Sequence, residues 1–150
     1  MLCRQCGTIF AIDEKKLYLY TMIKTMIIAG LGGFVGTCMR FLTGKLCHLL
    51  VVGSFPLGTF MVNIVGSFII GVLFGAAERT HAITPTMSAL LITGFCGGFT
   101  TFSTFADDIY LLLQNRHYST LALYAGGTIL LGVLFPLCSR SETLFRSGSC

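Results

Sequence analysis

The stretch GFCGGFTTFSTF, residues 94–105, decides how this chain is read. It lies between two hydrophobic runs that are each too short to cross a bilayer. It holds four phenylalanines, three glycines and the hydroxyls of Thr100, Thr101, Ser103 and Thr104. Glycine weakens a helix, and an apolar helix has no need of so many hydroxyls. The stretch reads as a break in a membrane helix, with hydroxyls placed to bond the backbone groups that the break sets free.

The surrounding chain is apolar. Of 150 residues, 54% are hydrophobic and 11% charged, with a mean hydropathy of +0.83. A soluble domain would carry about 25% charged residues, so this is an integral membrane protein. At ~20 residues per span, short loops leave room for about four helices. Spans are expected near 26–50, 57–77, 87–113 (with the break inside it) and 120–138, giving an all-α membrane fold. Four helices of one chain enclose little, so an ionic route forms more naturally between subunits. The Lys and Arg residues are scattered near span ends, where membrane proteins keep them, and do not suggest nucleic-acid binding.

Residues 1–21 are polar and lack a clear period. MIKTMIIAG then starts like a new N-terminus. The expectation is that translation begins at Met22 or Met26 and that 1–21 are an upstream extension. No small-residue cleavage site follows a proper apolar region, so it is not a secretory signal. Residues 22–140 form the four-helix membrane domain, and 141–150 are a polar tail.

With four spans, the N-terminus, second loop and C-terminus share one side of the membrane. That side holds Arg4, Lys15, Lys16, Lys24, Arg79, Arg140 and Arg146; the other holds Lys45, Arg116 and, if it reaches out, Arg40. The excess favours both termini inside. A start at Met22 removes three of the seven, and so weak a bias allows insertion in either direction, hence an antiparallel homodimer.

Small residues mark helix faces. Gly32 and Gly36, Gly71 and Gly75, and Gly94 and Gly98 are each four apart, which lets helix backbones approach closely. Cys38, Cys47, Cys96 and Cys138 lie in or beside apolar runs and behave as small hydrophobes. Cys3 and Cys6 lack two further ligands at zinc spacing, and an odd total of seven argues against a complete disulfide framework.

Asn63 is the sharpest single residue. A carboxamide inside an apolar span is costly unless partnered. It either locks to another helix or donates its NH2 to an anion in a pathway. Thr59 and Ser67 stand one turn to either side and share its face. Tyr124, Thr128 and Gly132 repeat the device on the fourth span. Phe102 and Phe105 are three apart around Ser103 and Thr104. Packing is the plain reading, but a ring edge carries slight positive charge and can meet a dehydrated anion.

Arg40 is the basic residue well inside a run, placed to snorkel or to give positive potential to an anion vestibule. Asp107 and Asp108 follow the break, to pair with a base or cap the route. Carbonyls exposed by the break are hard ligands suited to Na+ or another small cation. A phosphate-binding glycine loop would need a following Lys and a preceding strand, and neither is present. No HExxH, GxSxG or Cys/His pair suggests catalysis, and His48, His81 and His117 sit near loops.

GGFVGTCMRF (32–41), FPLGTFMVNIVGSFIIG (55–71), GFCGGFTTFSTFADD (94–108) and YAGGTILLG (124–132) resemble the CrcB/Fluc fluoride channels in order and spacing. The resemblance covers about residues 26–138. It implies a multi-pass protein of the bacterial inner membrane that assembles as an antiparallel, dual-topology dimer with two pores and exports fluoride passively. It implies that Asn63 stands at a pore vestibule and that Phe102 and Phe105 supply edge-on rings. Ser103, Thr104, Tyr124 and Thr128 would join the hydroxyl track. A structural Na+ would be held by backbone carbonyls of Gly97 and Thr100 from both subunits. Thr128 stands where Ser is typical and Asp108 where Glu is common. The alternatives are a small multidrug-type exporter, which would need a membrane-embedded acid in the first span where Arg40 stands instead, and a non-transporting scaffold.

Overall fold

The computed structural model of the protein describes residues 2–50, 55–80 and 83–147, with side chains at 14–49, 55–77 and 83–138. The Cys3–Cys6 pair, the side chains of the tail, His81 and part of the first and second loops lie outside the described residues.

The described chain is helical: α1 (Leu2–Leu50), α2 (Leu57–Thr80), α3 (Pro85–Ser88), a π-helical segment (Ala89–Cys96), α4 (Gly97–Phe99), α5 (Phe102–Gln114) and α6 (Tyr118–Ser147). Four stretches are long and apolar enough to cross a membrane: Glu14–Leu49, Leu57–Ala77, Pro85–Gln114 and Tyr118–Cys138. Among the described residues these four suit a chain that crosses a membrane more than once. The helix that carries the first span extends beyond it: α1 runs back to Leu2, because no proline interrupts 2–25 and helix formers such as Glu14, Lys15, Lys16 and Leu17 continue it. At 49 residues it is roughly 74 Å long at 1.5 Å per residue, more than twice a ~30 Å hydrocarbon core.

The third span is built in pieces. Thr84 caps α3 by accepting a hydrogen bond from Met87 N–H at 3.3 Å, and Pro85 occupies the first helical position, where its missing N–H is no loss. After α3 the ladder widens to π-helix over eight residues. Thr100 (ψ 156°) and Thr101 (φ −148°, ψ 123°) are then extended, and α5 starts afresh at Phe102. Arg116, at φ 58°, turns the chain between α5 and α6.

α1 packs along the π-helical segment and α2 along α6. The glycine pairs explain the first contact. A Cβ on Gly32 would meet the backbone oxygen of Leu90, and one on Gly36 that of Phe95; one on Gly98 would stand 3.0 Å from Gly33 Cα. Backbone thus lies on backbone, as small-residue faces permit. Gly66 on α2 likewise leaves the space that the Thr100 side chain fills. Among the described residues few side chains are fully buried, and the largest of these are Tyr124, Val62 and Cys96. Phe34, Leu31, Leu123 and Ile129 face outward, as suits a chain surrounded by lipid or by another copy of itself.

Candidate functional site

The site forms where α2 meets the extended residues between α4 and α5. In an uninterrupted helix, Thr101 N–H would bond the Gly97 carbonyl. Here it donates to Asn63 Oδ1 at 2.8 Å, while Asn63 Nδ2 donates to the Thr101 carbonyl at 3.0 Å. The Asn63 carboxamide therefore takes up a backbone donor and acceptor that have no partner in a helix, inside a span where water cannot serve them.

The remaining ends are closed locally. Thr101 Oγ1 caps α5, accepting from Thr104 N–H at 3.4 Å and from the Thr104 hydroxyl at 2.9 Å, with Ser103 Oγ at 3.2 Å. Thr100 turns its N–H and its hydroxyl back to the Cys96 carbonyl, each at 2.9 Å. The carbonyls of Gly97 and Thr100 lose the donors a continuous helix would bring, since the N–H groups of Thr101 and Thr104 go elsewhere. A Cβ on Gly97 would meet nothing within 4 Å, so this edge faces open space. Carbonyl oxygens are hard ligands of the kind that suit an alkali cation, and two of them are too few to enclose one. Among the described residues, no three of His, Cys, Asp and Glu gather at one place.

Cavities lie on both sides of the Asn63–Thr101 pair. One, of about 580 Å3, is lined by Arg40, Lys45 and His48 of α1, Thr59 of α2, and Thr101 and Thr104. The Arg40 Nε is buried there without a hydrogen-bond partner. The other, of about 370 Å3, is lined by Asn63, Ser67, Thr101, Phe102, Phe105 and Thr128 among others. The face shared by Thr59, Asn63 and Ser67 thus runs from the first cavity into the second.

Phe105 is buried and Phe102 is 79% exposed; their rings lie 5.9 Å apart and both border the second cavity. Phe105 also packs on Tyr124 at 5.3 Å between centroids, and Phe55 meets Tyr124 edge-on at 5.8 Å. Tyr124 is 0% exposed and donates its O–H to Asp108 Oδ2 at 3.0 Å, with the Thr59 hydroxyl beside it. The partner of Asp108 is therefore a phenol and not a base. Thr128 donates its hydroxyl to the Tyr124 carbonyl at 2.7 Å, so in this rotamer its oxygen faces outward only as an acceptor.

The geometry thus brings Asn63, Thr59, Phe102, Phe105, Thr104, Thr128 and Arg40 to the two cavities, while Ser103 is exposed and meets the Thr101 hydroxyl at 3.2 Å. Tyr124 stands behind Phe105. Thr101 was not singled out as a site residue. Its signal was local: a Thr just before a helical run, in the N-cap position. The aromatic packing of Phe55 and Phe60 left no such signal, since it joins residues more than 60 positions apart in sequence from Tyr124.

A family model described as CrcB-like protein, Camphor Resistance (CrcB), matches residues 27–139. The chain is 38% identical over 112 residues to the fluoride-specific ion channel FluC of Flavobacterium psychrophilum, covering 75% of this chain and 90% of the relative. It is 39% identical over 111 residues to the FluC protein of Nitratidesulfovibrio vulgaris, covering 74% and 90%. A FluC protein of Campylobacter jejuni is 42% identical over 102 residues, covering 68% and 83%.

Proposed function

This chain belongs to the CrcB family, and on that premise we propose that it is a passive, fluoride-selective channel that exports fluoride across a bacterial cell membrane. It is an ion-channel protein and not an enzyme. The observation that carries the reading is the Asn63–Thr101 clasp with a cavity on either side.

Fluoride is small and strongly hydrated, so a selective route must replace its water with many donors yet release it. Arg40 and Lys45 attract the anion to the first cavity, where the hydroxyls of Thr59 and Thr104 stand in for water. Nδ2 of Asn63 carries a second N–H beyond the one given to Thr101, and that proton can turn to an anion at the clasp. Beyond it lie Ser67 and the rings of Phe102 and Phe105, whose edges are weakly positive, and Ser103 joins the track through the Thr101 hydroxyl. Thr128 joins the track by turning its hydroxyl from the Tyr124 carbonyl. The Tyr124–Asp108 bond fixes the wall behind Phe105. We take the extended Thr100–Thr101 pair as a functional break in the third helix.

The pathway needs a second copy of the chain. The second cavity is an open groove on one subunit, and Phe102 beside it is largely exposed. In the proposed antiparallel, dual-topology homodimer each groove is closed by the partner, giving two pores. With a start at Met22, the basic residues divide four against three, and so weak an asymmetry supports insertion both ways. At the centre, the Gly97 and Thr100 carbonyls of the two copies would hold a structural Na+. When bound, that ion supplies a fixed positive charge that joins the subunits.

The test is fluoride efflux from proteoliposomes holding the purified protein, read with a fluoride electrode, with chloride as control and Na+ varied. Fast fluoride release without chloride release is expected, with loss of flux when Na+ is replaced by a large organic cation. No fluoride release from folded dimers would overturn the proposal.

A further inference from the structure

His48 lines the first cavity beside Arg40 and Lys45 but has no part in the proposed route. We infer that His48 is a permeation-determining residue, its charge setting how strongly the mouth of this cavity draws anions. The inference rests on reading the cavity as the anion's entrance.

His48 stands in the last turn of α1, exposed, and lines the 580 Å3 cavity together with Arg40 and Lys45. Arg40, Gly44 and His48 are each four apart and share one helix face. Lys45 holds its ammonium 5.7 Å from the Phe41 ring centroid, which keeps that charge at the rim. The other walls add no titratable group: α2 contributes Gly58, Thr59 and Val62, and the far side Thr101 and Thr104. Cys47, next to His48 in sequence, faces Gly58 across the helix contact. Residues 50–54, LVVGS, carry no ionisable side chain. Among the described residues no carboxylate lines the cavity, so a proton on His48 adds to the charge of Arg40 and Lys45.

Histidine is the side chain whose charge ordinarily changes between pH 5 and 8. A cleft of one charge sign with low-dielectric walls concentrates counter-ions, and each added charge multiplies that concentration. In the antiparallel dimer one such cavity opens to each side, so acidification of the side from which the anion loads would speed its entry there, and salt would weaken the effect.

Fluoride efflux from proteoliposomes is measured at pH 8 and pH 6 for the native chain, His48→Gln, His48→Arg and His117→Gln. Protein-free vesicles correct for hydrogen fluoride crossing the lipid. The native chain and His117→Gln, whose histidine borders a different cavity, should run about two- to tenfold faster at pH 6. His48→Gln should be slow at both pH values and His48→Arg fast at both, and high salt should flatten all four. A native rate that does not change with pH, or a pH dependence that survives in His48→Gln, would overturn the inference while leaving the channel standing. No fluoride flux at any pH would overturn both.

Discussion

Asn63 on α2 and Thr101 between α4 and α5 exchange two hydrogen bonds, 3.0 Å from Nδ2 to the carbonyl and 2.8 Å from N–H to Oδ1. A side chain thus does for one extended residue what a neighbouring strand would do. The backbone can leave helical geometry at this depth because both of its polar groups are matched. Gly66 beside them gives Thr100 the room to turn.

Removing the clasp should unfold the break. Asn63→Ala leaves the Thr101 N–H and carbonyl unpaired, at a cost of about 1–3 kcal/mol. Asn63→Asp keeps the acceptor but sets a carboxylate against the Thr101 carbonyl. Both should lower the thermal midpoint in detergent, and both should abolish fluoride efflux. Full flux through a stable Asn63→Ala protein would show that the clasp serves neither purpose.

The cap on α5 is separable from the clasp. Thr101→Val deletes the hydroxyl that accepts from Thr104 while leaving the backbone pair with Asn63 intact. A loss of about 1 kcal/mol is expected. Thr101→Ser should restore most of it in the same melting experiment, whereas equal losses for Val and Ser would point to packing of the methyl group.

The α1 contact tolerates no side chain at its closest points. Gly32→Ala puts a methyl against the Leu90 carbonyl and 2.9 Å from Phe95 N, while Gly30→Ala meets nothing within 4 Å. The first should cost about 1–3 kcal/mol or more through forced separation of the helices. The second should be neutral or slightly favourable by helix propensity. Yield and melting temperature of the two purified variants check the contrast, and equal behaviour would contradict the packing.

Tyr124 and Asp108 should behave as a coupled pair. Tyr124→Phe keeps the ring among Phe55, Phe60 and Phe105 but deletes the donor to Asp108. A loss of about 1.5–3 kcal/mol is expected for a bond to a charged group. Asp108→Asn should cost less once Tyr124 is already Phe. A double-mutant cycle on thermal stability reads the coupling, and strict additivity would mean that the bond contributes nothing.

Much of this protein is legible from its residues taken one segment at a time. Runs such as LLITGFCGG and FMVNIVGSFIIG are too apolar for water, so membrane insertion follows from composition alone. The four spans follow from the same runs. The small faces at Gly32/Gly36 and Gly94/Gly98, and the polar face of Thr59, Asn63 and Ser67, follow from the helical repeat. Residues 2–25 carry no periodic signal, yet a polar stretch still continues a helix when nothing in it stops one.

Local chemistry could not decide which of its possible partners each polar group takes. Asn63 could have reached an anion or another helix; its oxygen and one N–H bond Thr101, thirty-eight positions away. Asp108 could have met a base and instead accepts from Tyr124. Phe102 and Phe105, alike in sequence, end exposed and buried because α5 starts in a direction set by two extended residues. Hydropathy and helical period belong to short segments, and a sequence displays them directly. A hydrogen bond between helices depends on where both chains lie in space, and only the packed structure decides that.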